Sequence, residues 1–197
     1  MSRIFQHSLR ERMVEKFLEN PDGCAFEFPG FEGKVSNQEA LSLAVSIGIY
    51  LENLGLVQGE IVAILHDQSR DAYLAQLALF LHGVPYVIVD QESPDERLSR
   101  IHLKVGFKVM LVFGREMVSH GLPVPTASLC IEDLPPVEVP QGHIFPQILC
   151  TDLAYIVLTS GSTGEPKAVG ITHLNLLCFV DWALRRSRSV RKIPSRR

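Results

Sequence analysis

The feature that most constrains the fold is the repeated exchange of strand and helix patterns between residues 36 and 113. Short apolar runs typical of buried strands, at 60–65, 85–89 and 108–113, alternate with stretches whose apolar residues recur at helical spacing. Such alternation is typical of α/β proteins, in which a mostly parallel sheet carries helices on both faces. We therefore predict this architecture, with ligands bound at the carboxyl ends of the strands.

Local signals predict where the elements begin and end. Ser36-Asn-Gln-Glu39 and Ser93-Pro94-Asp95-Glu96 are capping-box patterns, in which the serine oxygen accepts from a free amide and the glutamate reaches back. The helices that follow them are predicted to end near Gly55 and Gly106, because glycine tolerates positive φ. The other predicted elements are helices at 9–17 and 72–81, strands at 24–28 and 153–158, and a short strand near Leu129.

The composition is that of a globular protein. With 46% hydrophobic and 21% charged residues in 197, the chain is not of the disordered class. The four cysteines lie far apart and form no CxxC pair, which predicts reduced thiols packed as small apolar groups and no metal site. The most apolar stretch, 72–89, is broken by Gly83-Val84-Pro85, and the amino terminus has no signal-peptide pattern. We expect a cytoplasmic protein with no membrane partner.

The charge distribution divides the chain at residue 184. Residues 1–184 hold 12 basic and 22 acidic side chains, a net charge of −10, whereas residues 185–197 hold seven basic and none acidic. The acidic body makes a nucleic-acid partner an unfavourable interpretation. The basic segment fits a nuclear-localisation or nucleic-acid patch, a disordered end, or sequence from an altered reading frame or alternative exon. Because the change in composition is abrupt, we favour the last two.

One segment combines the residue types that bind phosphate. The predicted strand at 153–158 runs into Thr159-Ser-Gly-Ser-Thr-Gly-Glu-Pro-Lys167. Glycines allow a tight turn whose amides can point at an anion, hydroxyls donate to phosphate oxygens, and the lysine adds a positive charge. Pro166 and Ala168 flank the lysine, so the segment is not a Walker A loop. An ordinary surface turn has the same composition, and composition alone leaves both interpretations open.

Residues 153–173, LAYIVLTSGSTGEPKAVGITH, resemble the signature of the adenylate-forming superfamily, which includes acyl-CoA synthetases, luciferases and the adenylation domains of nonribosomal peptide synthetases. LFLHGVPYVIVD at 79–90 and QESPDERL at 91–98 are similar to two further segments of that family, in the form more typical of amino-acid-activating members. Ile88, Gln91 and Ala168 depart from its usual pattern, and none of these departures removes a phosphate donor.

The resemblance implies a domain assignment and a set of contacts. Residues 1–184 would be a partial AMP-binding (adenylation) domain, the N-terminal part of the family's large domain, and residues 185–197 a basic, disordered tail. The family's adenine motifs, substrate pocket and catalytic lysine have no match in residues 174–197, so we expect a truncated chain and assign no catalytic residue. The implied nucleotide phosphate-binding residues are Thr159, Ser160, Gly161, Ser162, Thr163, Gly164 and Lys167.

The resemblance also implies a reaction. A carboxylate, in particular that of an amino acid, would attack the α-phosphorus of ATP to give an acyl-adenylate and pyrophosphate. The acyl group would then pass to the thiol of coenzyme A or of a carrier protein's phosphopantetheine. Mg²⁺ would bridge the phosphates, because it prefers substrate phosphates to a protein cage.

Three functions stay open at this point: an AMP-forming ligase, a catalytically incomplete fragment with residual nucleotide-phosphate binding, and a small nucleic-acid-binding or nuclear protein that uses the basic tail. We expect the fragment for the isolated chain, because catalysis must fix the α-phosphate, carboxylate and adenine together.

Several other residues could be mistaken for functional groups. We predict structural roles for His66 and His82, turn formation or capping for Asp90, and burial of Phe179 and Trp182 in the core. We also expect the sheet to expose apolar surface that further chain would cover.

Overall fold

The computed structural model describes residues 8–28, 34–114, 122–135, 137–139, 145–160 and 166–190. Its helices are α1 (Leu9–Glu19), α2 (Asn37–Asn53), α3 (Arg70–His82), α4 (Asp95–Val105) and α5 (His173–Val190). Its strands are β1 (Cys24–Glu27), β2 (Lys34–Ser36), β3 (Val62–His66), β4 (Tyr86–Asp90), β5 (Val109–Phe113), β6 (Thr126–Leu129), β7 (Leu153–Ser160) and β8 (Pro166–Thr172).

The central feature is a six-stranded sheet in the order β6-β5-β3-β4-β7-β8. Its first five strands are parallel to their neighbours, and β8 pairs antiparallel with β7 at the edge. The predicted mostly parallel sheet is therefore confirmed. The short strands β1 and β2 form a separate antiparallel pair, and β2 was not predicted.

Side chains of the sheet alternate between two cores, as the period of a strand requires. On one face, Ile64 and Leu111 pack in the larger core with buried residues of α2 and α3. On the other face, Leu65 and Met110 pack in a smaller core with Leu98 and other residues of α4. Helices thus lie on both faces of the sheet, as the alternating pattern predicts.

The two predicted capping boxes have different outcomes. At α2 the prediction is confirmed, because the Glu39 amide donates to Ser36 Oγ at 3.2 Å and the Ser36 amide donates to the Glu39 carboxylate at 2.7 Å. At α4 it is wrong, because Pro94 is the residue before the helix and makes no side-chain cap bond. Pro94 keeps an extended backbone, with ψ of 151°, so the helix begins at Asp95, one residue later than predicted. The predicted helix end at Gly106 is confirmed, with φ of 69°.

Helix α5 differs from its prediction in two ways. It continues to Val190, past residue 184, so the first six residues of the predicted disordered tail are helical. Residues 191–197 lie outside the described residues. Phe179 and Trp182 are each more than half exposed, so their predicted burial is wrong. The helix packs instead through His173 and Leu177, which lie on its buried side.

Three of the four cysteines differ from their prediction. All four thiols are free, but Cys24, Cys150 and Cys178 are exposed, so the prediction that each is packed as an apolar group is wrong for these three.

Among the described residues, no helix combines the length and the apolar character that crossing a bilayer requires.

Candidate nucleotide-binding site

Strands β7 and β8 form an antiparallel hairpin that carries the predicted phosphate-binding residues. Its register runs from Leu153 opposite Thr172 to Ser160 opposite Pro166. Because β7 is parallel to β4, the Ser160 end of the hairpin lies at the carboxyl edge of the parallel strands. This is the edge at which open α/β sheets bind their ligands.

The structure places three of the seven predicted contacts in strands. Thr159 and Ser160 are the last residues of β7, and Lys167 is the second residue of β8. Their expected position in a loop is therefore wrong, because pairing between the two strands continues to the Ser160–Pro166 pair. Amides paired within a sheet cannot also bind an anion, so the predicted amide cradle depends on the remaining four residues. Those four, Gly161, Ser162, Thr163 and Gly164, lie outside the described residues.

Thr159 and Lys167 form a pair of exposed donors at the end of the hairpin. They are direct partners in the β7–β8 register, so their side chains lie on the same face of the sheet. Both are exposed, and Lys167 makes no ion pair with any residue that the structure describes. A hydroxyl and an ammonium side by side can both donate to the oxygens of one phosphate chain.

The opposite end of the hairpin is held by backbone hydrogen bonds. The His173 amide donates to the Asp152 carbonyl at 3.0 Å, and the Leu174 amide donates to the Cys150 carbonyl at 2.8 Å. Thr172 caps α5, because its Oγ1 accepts from the Asn175 amide at 3.2 Å. The hairpin therefore has a fixed base, from which its other end extends to the carboxyl edge of the sheet.

His173 lies buried at this base, with 2% of its surface exposed. Its ring packs on Phe80 at 5.1 Å between centroids, and neither ring nitrogen has a hydrogen-bond partner among the described residues. Burial, reinforced by the nearby charge of Arg10 and opposed by that of Asp152, lowers the pKa of His173 below its ordinary value. The ring is thus held in its neutral form, and the residue that caps the helix is Thr172.

The other side chains that could be mistaken for catalytic groups make structural contacts. His82 Nε2 lies 3.0 Å from the Ala44 carbonyl oxygen, and its ring meets Phe145 edge to face. Asp90 Oδ1 accepts from the Glu92 amide at 3.0 Å, which closes the predicted turn. In the part of the chain that the structure describes, no three potential metal-ligating side chains gather.

A polar cleft beside the hairpin was not found by sequence reasoning. Its volume is about 310 Å³, and it is lined by His66, Gln68, Ile88, Val89, Asp90, Ser93, Arg97, Ile101 and Leu158. His66 and Asp90 are the last residues of β3 and β4, and Gln68 and Ser93 lie in the turns after them, which is the signal that could have indicated the cleft. A larger cavity of about 580 Å³ lies between α2 and the segment around 134–139, and none of its lining residues belongs to the hairpin.

Comparison with known proteins decides the family. The sequence profile of the family described as AMP-binding enzyme matches residues 14–193. The chain belongs to this family. The predicted membership of the adenylate-forming superfamily is therefore confirmed.

Individual members of the AMP-binding family agree with this assignment. One of the subunits of linear gramicidin synthase from Brevibacillus parabrevis is 32% identical over 154 residues, which cover 77% of this chain. The N-terminal subdomain of Klebsiella oxytoca NpsA, solved in complex with 3-hydroxyanthranilyl-AMSN, is 26% identical with a TM-score of 0.68 over 84% of the chain. The AMPPNP-bound form of the nonribosomal peptide synthetase FmoA3 is 25% identical with a TM-score of 0.71 over 91% of the chain.

These relatives are much longer than the part that matches. The chain spans 2% of the gramicidin synthase polypeptide, 40% of the NpsA chain and 18% of the FmoA3 chain. Its predicted fold, the N-terminal part of the family's large domain, is confirmed by these neighbours. None of the three supports the alternative of a nucleic-acid-binding protein.

Proposed function

We propose that this chain provides the phosphate-binding part of an ATP-dependent, AMP-forming ligase that activates a small carboxylate, in particular that of an amino acid. The observation that carries the proposal is the exposed Thr159–Lys167 pair at the carboxyl edge of the sheet. Membership of the AMP-binding family and the AMPPNP-bound FmoA3 structure support ATP as the nucleotide.

In the proposed reaction, a carboxylate oxygen attacks the α-phosphorus of ATP. A bond forms between that oxygen and phosphorus, and the bond to the bridging oxygen breaks, so pyrophosphate leaves with the electron pair. Lys167 and the Thr159 hydroxyl would hold the β- and γ-phosphates, where negative charge accumulates as the bond breaks. Ser160 and residues 161–164 would add hydroxyl and amide donors, and Mg²⁺ would arrive with the nucleotide.

Membership of the same family also indicates which molecules would accept the acyl group in the second step. The acyl group would pass to a thiol, either of coenzyme A or of a carrier protein's phosphopantetheine. The similarity to peptide synthetases supports an amino acid as substrate and a carrier protein as acceptor. We propose a cytoplasmic location for this chemistry.

A second candidate is a chain that binds the phosphates of ATP without completing adenylation. It is favoured by the 40% share of the NpsA chain that this chain spans, because the NpsA subdomain that was solved with a ligand is more than twice as long as the matched part. Both candidates bind the phosphates of ATP through the same residues, and only the complete ligase would form an acyl-adenylate.

ATP binding tests what both candidates share. Isothermal titration of the full chain with MgATP should give saturable binding that Lys167→Ala weakens about tenfold or more, since a charge-assisted hydrogen bond contributes about 1.5–3 kcal/mol. Lys104→Ala, which removes an exposed lysine from α4, is the matched control and should bind as the wild type does. Equal affinity in both variants would contradict the proposal.

Turnover separates the two candidates. Carboxylate-dependent exchange of pyrophosphate into ATP, measured with a mixture of amino acids, reports the adenylation step itself. Exchange above background that Lys167→Ala removes would support the complete ligase. ATP binding without exchange would support the phosphate-binding fragment.

A further inference from the structure

The polar cleft lies at the carboxyl ends of β3 and β4, where the two strands lead into helices. Strands β3 and β4 are neighbours and parallel, yet the helices that follow them lie on opposite faces of the sheet. Helix α3 packs in the core that contains Ile64, whereas α4 packs in the core that contains Leu65. The two connections therefore separate at the carboxyl edge and leave a crevice between them, the position at which ligands bind in sheets of this kind.

Chemical groups of both charges line this crevice. Arg97, on the first turn of α4, is exposed and makes no ion pair with any described residue. Asp90 uses only Oδ1 in its turn, so its other carboxylate oxygen is available. His66 Nδ1 accepts from the Gln68 amide at 3.2 Å, which leaves Nε2 of the neutral ring as a donor. The Ser93 hydroxyl adds a further donor at the edge.

The charge around the cleft selects among ligands. Besides Asp90, the turns after β3 and β4 carry Asp67 and Glu92, and the first turn of α4 carries Asp95 and Glu96, so a bare anion would meet repulsion from several carboxylates. A phosphate chain that brings its own divalent cation would meet less repulsion, because the cation offsets part of its charge. Mg²⁺ commonly keeps most of its waters and binds through one or two carboxylates together with substrate phosphates, whereas an arginine fork matches phosphate oxygens.

The cleft is next to the hairpin. Leu158 of β7 lines it, and β7 ends two residues later at Ser160. At about 3.3 Å per residue in a strand, that separation is about 7 Å. The cleft and the end of the hairpin are therefore neighbours along the carboxyl edge of the sheet, over which a released phosphate group would pass.

From this arrangement we propose that the cleft between β3 and β4 is a subsite for magnesium pyrophosphate. Arg97 binds the phosphate oxygens, Asp90 holds the hydrated Mg²⁺, and the imidazole of His66 donates a hydrogen bond. The inference rests on the proposed function, because pyrophosphate is the leaving group of that reaction. It assigns the cleft a role in accepting this product.

Pyrophosphate itself is the probe. Titration of the full chain with inorganic pyrophosphate and Mg²⁺ should show binding that Arg97→Gln and Asp90→Asn each weaken about tenfold or more. The amide oxygen introduced by Asp90→Asn can still accept from the Glu92 amide, so the turn is preserved. Arg100→Gln, one turn further along α4, and Glu92→Gln are the matched controls and should leave the affinity within about twofold. Unchanged melting curves establish that the variants fold.

The dependence on magnesium identifies the role of Asp90. Removal of Mg²⁺ with EDTA should weaken pyrophosphate binding in the wild type about tenfold or more, and have a much smaller effect in Asp90→Asn. Equal magnesium dependence in both proteins would overturn the assignment of Asp90.

The test distinguishes this inference from the proposed function. If MgATP binds in a Lys167-dependent manner while Arg97→Gln and Asp90→Asn bind magnesium pyrophosphate as the wild type does, the cleft proposal is wrong and the proposed function stands. If magnesium pyrophosphate binds in an Arg97-dependent manner and MgATP does not bind, the cleft proposal stands and the ATP site is wrong. Absence of pyrophosphate binding to the wild type overturns the cleft.

Discussion

The two halves of the central sheet differ in how they are covered. On the face that packs against α3, one row of aliphatic side chains crosses four strands, from Ile64 on β3 through Ile88 and Val157 to Val169 on β8. Ile64 is completely buried, whereas the other three are 41%, 39% and 46% exposed. The exposed apolar surface expected from the sequence therefore lies on the half of the sheet that carries the hairpin.

From this difference we expect stability and ligand binding to depend on separate parts of the molecule. The β5–β3 half is covered on both faces by the chain's own helices, and its side chains Ile64, Met110 and Leu111 are completely buried. The hairpin half is held by strand pairing and by its base, and its outer strand is exposed from Lys167 to Gly170. Substitutions near the hairpin should change binding before they change folding, and substitutions in the covered half should do the reverse.

The sharpest test of this contrast compares two isoleucines that are register partners. Ile64→Ala should lower the free energy of unfolding by about 2–5 kcal/mol, because it leaves a cavity in a closed core. Ile88→Ala makes the same chemical change one strand away and should cost less than about 1 kcal/mol, because the side chain is already in contact with water. Urea denaturation measures both values, and equal losses would show that the two halves are equally covered.

A second test compares the glycines that end α3 and α4. Both have φ near 70°, so alanine at either position incurs the cost of a left-handed backbone, about 1–2 kcal/mol. A Cβ on Gly83 would also lie 2.3 Å from Ile148 Cγ2, whereas a Cβ on Gly106 would meet no atom within 4 Å. Thermal or urea unfolding should therefore show a greater loss for Gly83→Ala.

The Gly83 result has its own control. Because the extra cost comes from one methyl group of Ile148, the additional substitution Ile148→Ala should bring the cost of Gly83→Ala down to that of Gly106→Ala. An unchanged difference in that background would show that the clash is not its cause.

The smallest expected effect concerns pH and the base of the hairpin. The pKa of His173 is lowered in the folded state, chiefly by burial, so the unfolded chain takes up a proton more readily than the folded one. Its contribution to stability is complete above the ordinary pKa of 6.5 and is lost as the pH falls through the lower folded-state value. The free energy of unfolding should therefore decline more steeply between pH 7.5 and 5 in the wild type than in His173→Gln. Parallel pH profiles would contradict this account.

Patterns within a short stretch of chain were predictable, and long-range contacts were not. The capping box at Ser36 needs only four consecutive residues, and sequence reasoning found it. Strand β8 was missed because proline, lysine and glycine are poor strand formers, and it exists because β7 provides a partner for its backbone.

The candidate site shows the same limit. Helical spacing put Phe179 and Trp182 on one face of α5, but only the packing of His173 and Leu177 decides that this face is exposed. The motif predicted the hairpin residues, whereas the cleft depends on Asp90 and Arg97 being brought together with β3 and β7, which no local pattern encodes.

The most direct test of the central claim is hydrogen–deuterium exchange of the full chain with and without MgATP. If the end of the hairpin binds the phosphates, amide exchange should slow in peptides that cover residues 159–167, which include the predicted amide cradle. Peptides from α2, on the far side of the larger core, should be unchanged. Protection that appears elsewhere and leaves residues 159–167 as they were would contradict the claim that this hairpin binds ATP.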